Sequence, residues 1–237
     1  MNNKSFAVAK TNFKNIKLAC WITFYGIMAI LAQDIVYFIL SFYNINPGAD
    51  NSTVGLGNYF YLLIILSAIF IPALNFRKMM NLGGKRNDFF TGCAINYTVM
   101  AAVISLASII FYYTYEQFVL TYCYKGGFTL NVLYWFGWVN NGPVIAFFQQ
   151  FAFLLFAAVF IHTLTAMQDK WYGWVTDIVI VAIISVFTPI APLRSILAAF
   201  FYMIIFNANW LLQILACLIL SVAIYAFNKI IFARKAI

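Results

Sequence analysis

Charge is scarce in this chain. Its 237 residues include 14 Lys and Arg and 6 Asp and Glu, or 8% charged, where a soluble domain carries roughly 25%. The chain is 65% hydrophobic and 20% aromatic, and apolar stretches recur from end to end. That excludes an ordinary soluble domain and predicts an all-α polytopic membrane protein. Histidine is nearly absent. The lone His162 cannot form a bis-imidazole haem site or an HExxH zinc site, and it reads as a packed residue. Cysteine is sparse: Cys20, Cys93 and Cys217 lie in apolar runs and Cys123 stands alone in an expected loop. With no CxxC and no Cys/His cluster, neither a structural disulfide nor a metal centre is expected. A P-loop is also missing, because Gly83-Gly84-Lys85-Arg86 lacks the GxxxxGK[ST] spacing and a preceding strand. No ladder of acids crosses the apolar runs, which argues against ion coupling. No residue set points to catalysis or to a cofactor held by this chain. There is no fixed-period repeat. No cleavable signal peptide is expected, so the first apolar segment is retained.

The apolar runs predict spans at 18–43, 59–76, 91–115, 144–167, 171–187 and 210–232, within one membrane domain covering 1–237. The fifth is short, with Trp171 and Trp174 as interface anchors. From Ser195 to Phe227 the chain is almost wholly apolar. As one helix that run would extend about 50 Å at 1.5 Å per residue, against a bilayer core of about 30 Å. A break is therefore expected at Asn207 and Asn209, with Pro189 and Pro192 interrupting the helix upstream. Segment 188–209 reads as re-entrant or interfacial, and 116–143 as an interfacial outer loop.

Six spans place both ends on one side. That side gathers Lys4, Lys10, Lys14, Lys17, Arg77, Lys78, Lys85, Arg86, Lys170, Lys229, Arg234 and Lys235, leaving Lys125 and Arg194 opposite. The bias marks the first side as cytoplasmic and accounts for the net charge of +8 without nucleic acid. Residues 1–17 carry Phe6, Ala9, Phe13 and Ile16 at helical spacing, with Lys10, Lys14 and Lys17 along one edge. This predicts an interface helix lying apolar side down, its lysines reaching lipid phosphates.

Few groups remain for chemistry. Asp34, following Gln33, falls about 24 Å along the first span and so near its outer end. Two readings stay open for it: a hydrogen-bonded interface residue, or a carboxylate on a substrate pathway. Asp169 and Asp177 flank the start of the fifth span and read as solvent-facing or helix-capping. Asn51-Ser-Thr and Asn96-Tyr-Thr match the glycosylation sequon. Asn96 lies in a span, and both matches read as chance.

The segment 77–90, RKMMNLGGKRNDFF, concentrates Arg77, Lys78, Lys85, Arg86 and Asp88 between the second and third spans. Gly83-Gly84 can end a helix in a tight turn, Asn87 or Asp88 can cap the next helix, and Met79, Met80 and Leu82 form an adaptable apolar knob. Leu82, Gly83, Arg86, Phe89, Phe90 and Gly92 fit the pattern L-G-x-x-R-x-x-F-F-x-G. In this the chain resembles the membrane subunits of ABC-2-type ABC exporters, most nearly those of Firmicute peptide and antimicrobial export of the phenol-soluble-modulin type. Lys85 departs from the small polar residue usual before the arginine. The resemblance implies six spans, a cytoplasmic interface helix and a re-entrant helical hairpin between spans five and six. It makes Met79, Met80, Leu82, Gly83, Gly84, Lys85, Arg86 and Phe89 an ATPase-coupling loop. It further implies two ATPase subunits carrying ATP and Mg, a second copy or homologous permease, contact with membrane lipid, and a bacterial plasma-membrane location. The expected activity is outward movement of a hydrophobic or amphipathic cargo. A membrane immunity or sensor protein that binds a peptide toxin, and an ATP-independent secondary transporter, stay open as alternatives.

Overall fold

The computed structural model describes residues 3–43, 52–123 and 128–234. Asn51, Lys125 and Lys235 lie outside them. The chain is almost entirely helical. Helix α1 is Asn3–Asn15, α2 Lys17–Phe42, α3 Leu56–Asn81, α4 Arg86–Tyr122, α5 Val132–Trp135, α6 Pro143–Met167, α7 Trp171–Phe187, α8 Ala191–Phe206 and α9 Trp210–Arg234. Two short strands, β1 (Ser52–Val54) and β2 (Phe128–Leu130), pair in parallel with Thr53 opposite Thr129. Among the described residues, five helices (α2, α3, α4, α6 and α9) are long and apolar enough to cross a membrane. The protein is an all-α, multi-pass membrane protein.

The fifth expected span keeps its bounds and is as short as expected. Trp171–Phe187 has 17 residues, about 25 Å of helix, and falls short of a crossing alone. It qualifies only with α8, to which it is bent by 119°, as a broken span or a re-entrant loop. The break falls at Thr188–Ile190, and Pro192 sits in the first turn of α8, where its missing N–H costs nothing. Helix α8 has more residues than the piece expected from Ser195, and it ends before Asn207, which is extended. Asn209 then caps α9 by accepting from the Leu211 and Leu212 N–H groups.

The third span is also longer than 91–115. Helix α4 continues through a π-helical turn at Tyr112–Glu116 to Tyr122, so much of the expected outer loop is helix. Cys123 closes that helix as its C-cap and is buried; it does not stand alone in a loop. Burial first, and the Asp34 charge second, push its thiol above the ordinary range. All four cysteines are free.

Between helices in lipid the hydrophobic effect is weak, so close packing and interhelical hydrogen bonds hold the bundle. Helices α3, α4 and α6 form its centre through Ile64, Ala68, Tyr97, Ala101, Leu154 and Ala158. A Cβ on Gly57 would meet Ser108 Oγ at 2.7 Å, so α3 and α4 touch there. Buried side chains bridge the helices. Gln150 Nε2 donates to Tyr61 Oη at 2.6 Å, and Tyr61 Oη lies 3.3 Å from Ser108 Oγ. The Tyr97 hydroxyl lies 2.6 Å from His162 Nδ1, which makes His162 a fully buried packing residue, as its solitude implies. Helices α2, α7 and α8 contribute most of the exposed Ile, Val and Phe.

Candidate functional site

The expected coupling segment forms the turn between α3 and α4. Helix α3 ends in a Schellman motif: Gly83, at φ +77°, donates its N–H to Met80 O at 3.0 Å, and Gly84 donates to Met79 O at 2.9 Å. A left-handed residue with a side chain costs about 1–2 kcal/mol, and a Cβ on Gly83 would meet nothing within 4 Å. Gly83→Ala is therefore expected to lower stability by about 1–2 kcal/mol through conformation alone. Gly83→Asn should recover part of the loss, because Asn tolerates the left-handed region. Thermal unfolding of the two purified variants checks this order.

The side chains around the turn divide into two sets, which corrects the expected apolar knob. Met80 and Phe89 fold inward. Phe89 is fully buried edge-on to Phe76, with ring centroids 5.4 Å apart, and Met79 is half-buried against the same core. Leu82 projects, 77% exposed, together with exposed Arg77, Lys78 and Lys85, while Arg86 is half-buried. Asn87 and Asp88 do not cap α4. The N-cap is Lys85, without a side-chain bond, and Asp88 lies in the first turn, where its charge suits the helix dipole. Asp88 Oδ1 also accepts from Ser5 Oγ at 3.5 Å.

That bond belongs to a seam fastening α1 onto α4. A Cβ on Gly92 would come within 2.8 Å of Val8 Cγ1, so only glycine admits the interface helix this closely. One turn on, buried Asn12 donates to Cys93 Sγ at 3.8 Å and accepts from Asn75 Nδ2 at 3.2 Å. Asn75 closes the π-helical turn that starts beside Pro72 in α3. The expected stripe of α1 is accordingly split. Ala9 and Ile16 are buried in protein with Ser5, Val8 and Asn12, whereas Phe6 (60% exposed) and Phe13 (39%) face outward beside exposed Lys10 and Lys14. Ile16 lies just past the helix, as the N-cap of α2, and exposed Lys17 begins α2. The other end of the motif is anchored too: Phe90 stacks on Tyr225 of α9 at 4.2 Å, and the Tyr225 hydroxyl donates to Phe90 O.

The remaining candidates lie elsewhere. Asp169 pairs with Arg77 at 3.7 Å across two neighbouring turns, and Asp177 accepts from Gln168 Nε2. Neither caps α7, whose N-cap Lys170 makes no side-chain bond. Asp34 sits at the opposite end from the α3–α4 turn, with Gln33 half-buried beside it. Asp34 is buried and accepts from Tyr115 Oη at 2.8 Å and Thr53 Oγ1 at 3.4 Å. These bonds tie α2 to α4 and β1, in keeping with the hydrogen-bonded reading. A second buried carboxylate, Glu116, is absent from the sequence-based candidates. It lies in the π-helical turn of α4 and accepts from Asn131 Nδ2 at 2.6 Å.

The pattern L-G-x-x-R-x-x-F-F-x-G therefore has a structural meaning residue by residue. Gly83 makes the turn, Phe89 enters the core, Phe90 meets α9 and Gly92 admits α1. Together they join α1, α3, α4 and α9 into one block with Leu82 and three cations at its tip. No protein-family model, curated protein or solved structure matches the chain.

Proposed function

We propose that the chain is the membrane-spanning subunit of an ABC-type exporter. It would move a hydrophobic or amphipathic cargo outward, powered by ATP and Mg on two separate nucleotide-binding subunits, with a second copy or homologous permease completing the pathway. The observation that supports this reading is the division of the α3–α4 turn. Its inward residues fix it rigidly to the interface helix and to α9, while Leu82, Lys78 and Lys85 are left for a partner and exposed Arg77 pairs with Asp169. A force applied at such a tip is transmitted to four helices together. The lysine-rich end is cytoplasmic by the positive-inside rule. The bent α7–α8 pair, taken as one broken span, completes six crossings and keeps both ends on that side.

Leu82→Asp combined with Lys85→Glu tests the reading. Both side chains are exposed, so the fold should be unchanged, whereas a partner that buries them meets an unpaired charge and like-charge repulsion. Co-purified nucleotide-binding subunit and cargo-stimulated ATP hydrolysis are expected to fall at least tenfold, with thermal stability unchanged. Full complex formation in the double variant would refute docking at this turn. Cargo movement in vesicles with an ion gradient and no ATP would refute the exporter itself.

A further inference from the structure

Helices α6, α7 and α8 line a half-open groove of about 760 Å³, within the roughly 300–1,000 Å³ range of pockets that bury a ligand. Its walls include Phe156 and Phe160 of α6, Ile183 and Phe187 of α7, and Leu197 and Phe201 of α8. Every lining side chain is Phe, Ile, Leu or Ala. The site offers no side-chain donor or acceptor, which restricts what can occupy it. A peptide would carry its N–H and C=O groups into a space that cannot pair them, at a cost of several kcal/mol per group. A hydrocarbon chain has no such groups.

The mouth supplies the other half of a ligand. Arg194 precedes Leu197 by three residues and Phe201 by seven, so it shares their face of α8 one turn nearer the helix start. It is exposed, and among the described residues no carboxylate lies within ion-pair distance of it. From Trp171 to Phe206 the only other charged residue is Asp177, which already accepts from Gln168. An exposed cation beside an apolar groove seeks an anion, and the headgroup of an anionic lipid is the one the bilayer provides. A second copy related by two-fold symmetry about this mouth would instead bring two Arg194 side chains together.

We infer that this groove is a retained site for one anionic phospholipid, with an acyl chain between α6, α7 and α8 and the phosphate on Arg194. The site is separate from the docking turn and does not depend on the exporter reading.

The test is native mass spectrometry of the purified, delipidated full chain, reloaded with phosphatidylglycerol or phosphatidylcholine of identical acyl chains. One phosphatidylglycerol should be retained per chain, at least fivefold more than phosphatidylcholine. Arg194→Gln should abolish the preference and Arg194→Lys should keep most of it. Ala157→Phe, which fills the groove, should reduce retention of both lipids at least fivefold. Ile183→Trp fills it from a partly exposed position on the opposite wall and serves if Ala157→Phe fails to fold. Equal retention of the two lipids, a preference that survives Arg194→Gln, or binding indifferent to both filling variants would overturn the site. So would a lipid-free dimer that Ile183→Trp separates.

Discussion

Gly173→Ala is expected to be more damaging than the same change at any other described glycine. Helix α6 stops at Met167 and α7 begins at Trp171, so the connection is a tight turn: Lys170 N–H donates to Met167 O, and Gly173 N–H to Lys170 O, both at 3.0 Å. A Cβ on Gly173 would overlap the Met167 carbonyl oxygen, 2.6 Å from its carbon and 2.9 Å from Gln168 N. All of these are backbone atoms, so no side chain can swing aside and α7 must move as a body. Overpacking that side chains can relieve costs about 1–3 kcal/mol, and a backbone overlap belongs at or above the upper limit. The same turn carries the Asp169–Arg77 pair and the Gln168–Asp177 bond, so displacing α7 loosens the hairpin's attachment to the docking turn as well. Gly26→Ala is the control. Its Cβ would approach only the Tyr59 ring, at 2.8 Å, on a half-buried side chain able to yield. Unfolding in detergent should show a loss of about 3 kcal/mol or more for Gly173→Ala and a markedly smaller one for Gly26→Ala. Similar losses would mean that the turn has slack the geometry does not reveal.

The apolar runs reveal the crossings because length and composition alone decide whether a helix can lie in lipid. Trp171, Phe187, Met167 and Trp210 fall at helix ends close to where the sequence places them. The site is less legible. Gly83 can be read as a turn because a Gly-Gly pair after a helical run has one common use. Gly92 cannot, because its role depends on which helix crosses it, and that helix, Asn3–Asn15, is far away in the sequence. Phe89 stands amid charge, and its surroundings read as a docking surface. Its spacing with Cys93, Asn96 and Met100 is the inward face of α4, a signal present in the sequence but overridden by the neighbouring cations. Asn12 shows the same effect in α1, where Ser5, Val8, Ala9 and Asn12 share one buried face. A stripe defined by large apolar residues selects Phe6 and Phe13 instead. Glu116 reads as a loop residue because composition treats a carboxylate as solvated. Only the position of Asn131 shows that it is buried and bonded.

Trp138→Ala is expected to release the far end of the α7–α8 hairpin. Helix α8 finishes in a π-helical turn, Tyr202–Phe206, and the last carbonyls of a helix lack donors within it. Two of them are taken up by side chains. Trp138 Nε1 donates to Ile205 O at 2.9 Å, and Ile204 O accepts from Gln213 Nε2 at 3.1 Å and Cys217 Sγ at 3.5 Å. Gln213 is held in turn by Gln149, and Gln149 by Asn141 at 3.1 Å. Trp138 also packs edge-on against Phe136 and Phe153. Removing a buried Trp side chain costs about 3–5 kcal/mol. Trp138→Phe keeps most of the packing and removes only the donor, and in lipid such bonds are worth about 0.6–1.7 kcal/mol. Because only Gly173 and Ile204 of α7 and α8 are buried, little else restrains them, so the loss should appear locally. Hydrogen exchange should accelerate strongly at 200–206 in Trp138→Ala and modestly in Trp138→Phe, while α6 amides stay protected. Uniform acceleration through α6 would show that Trp138 supports the whole bundle. Unchanged exchange at 200–206 would leave the groove's occupant, and not the tryptophan, as what holds the hairpin down.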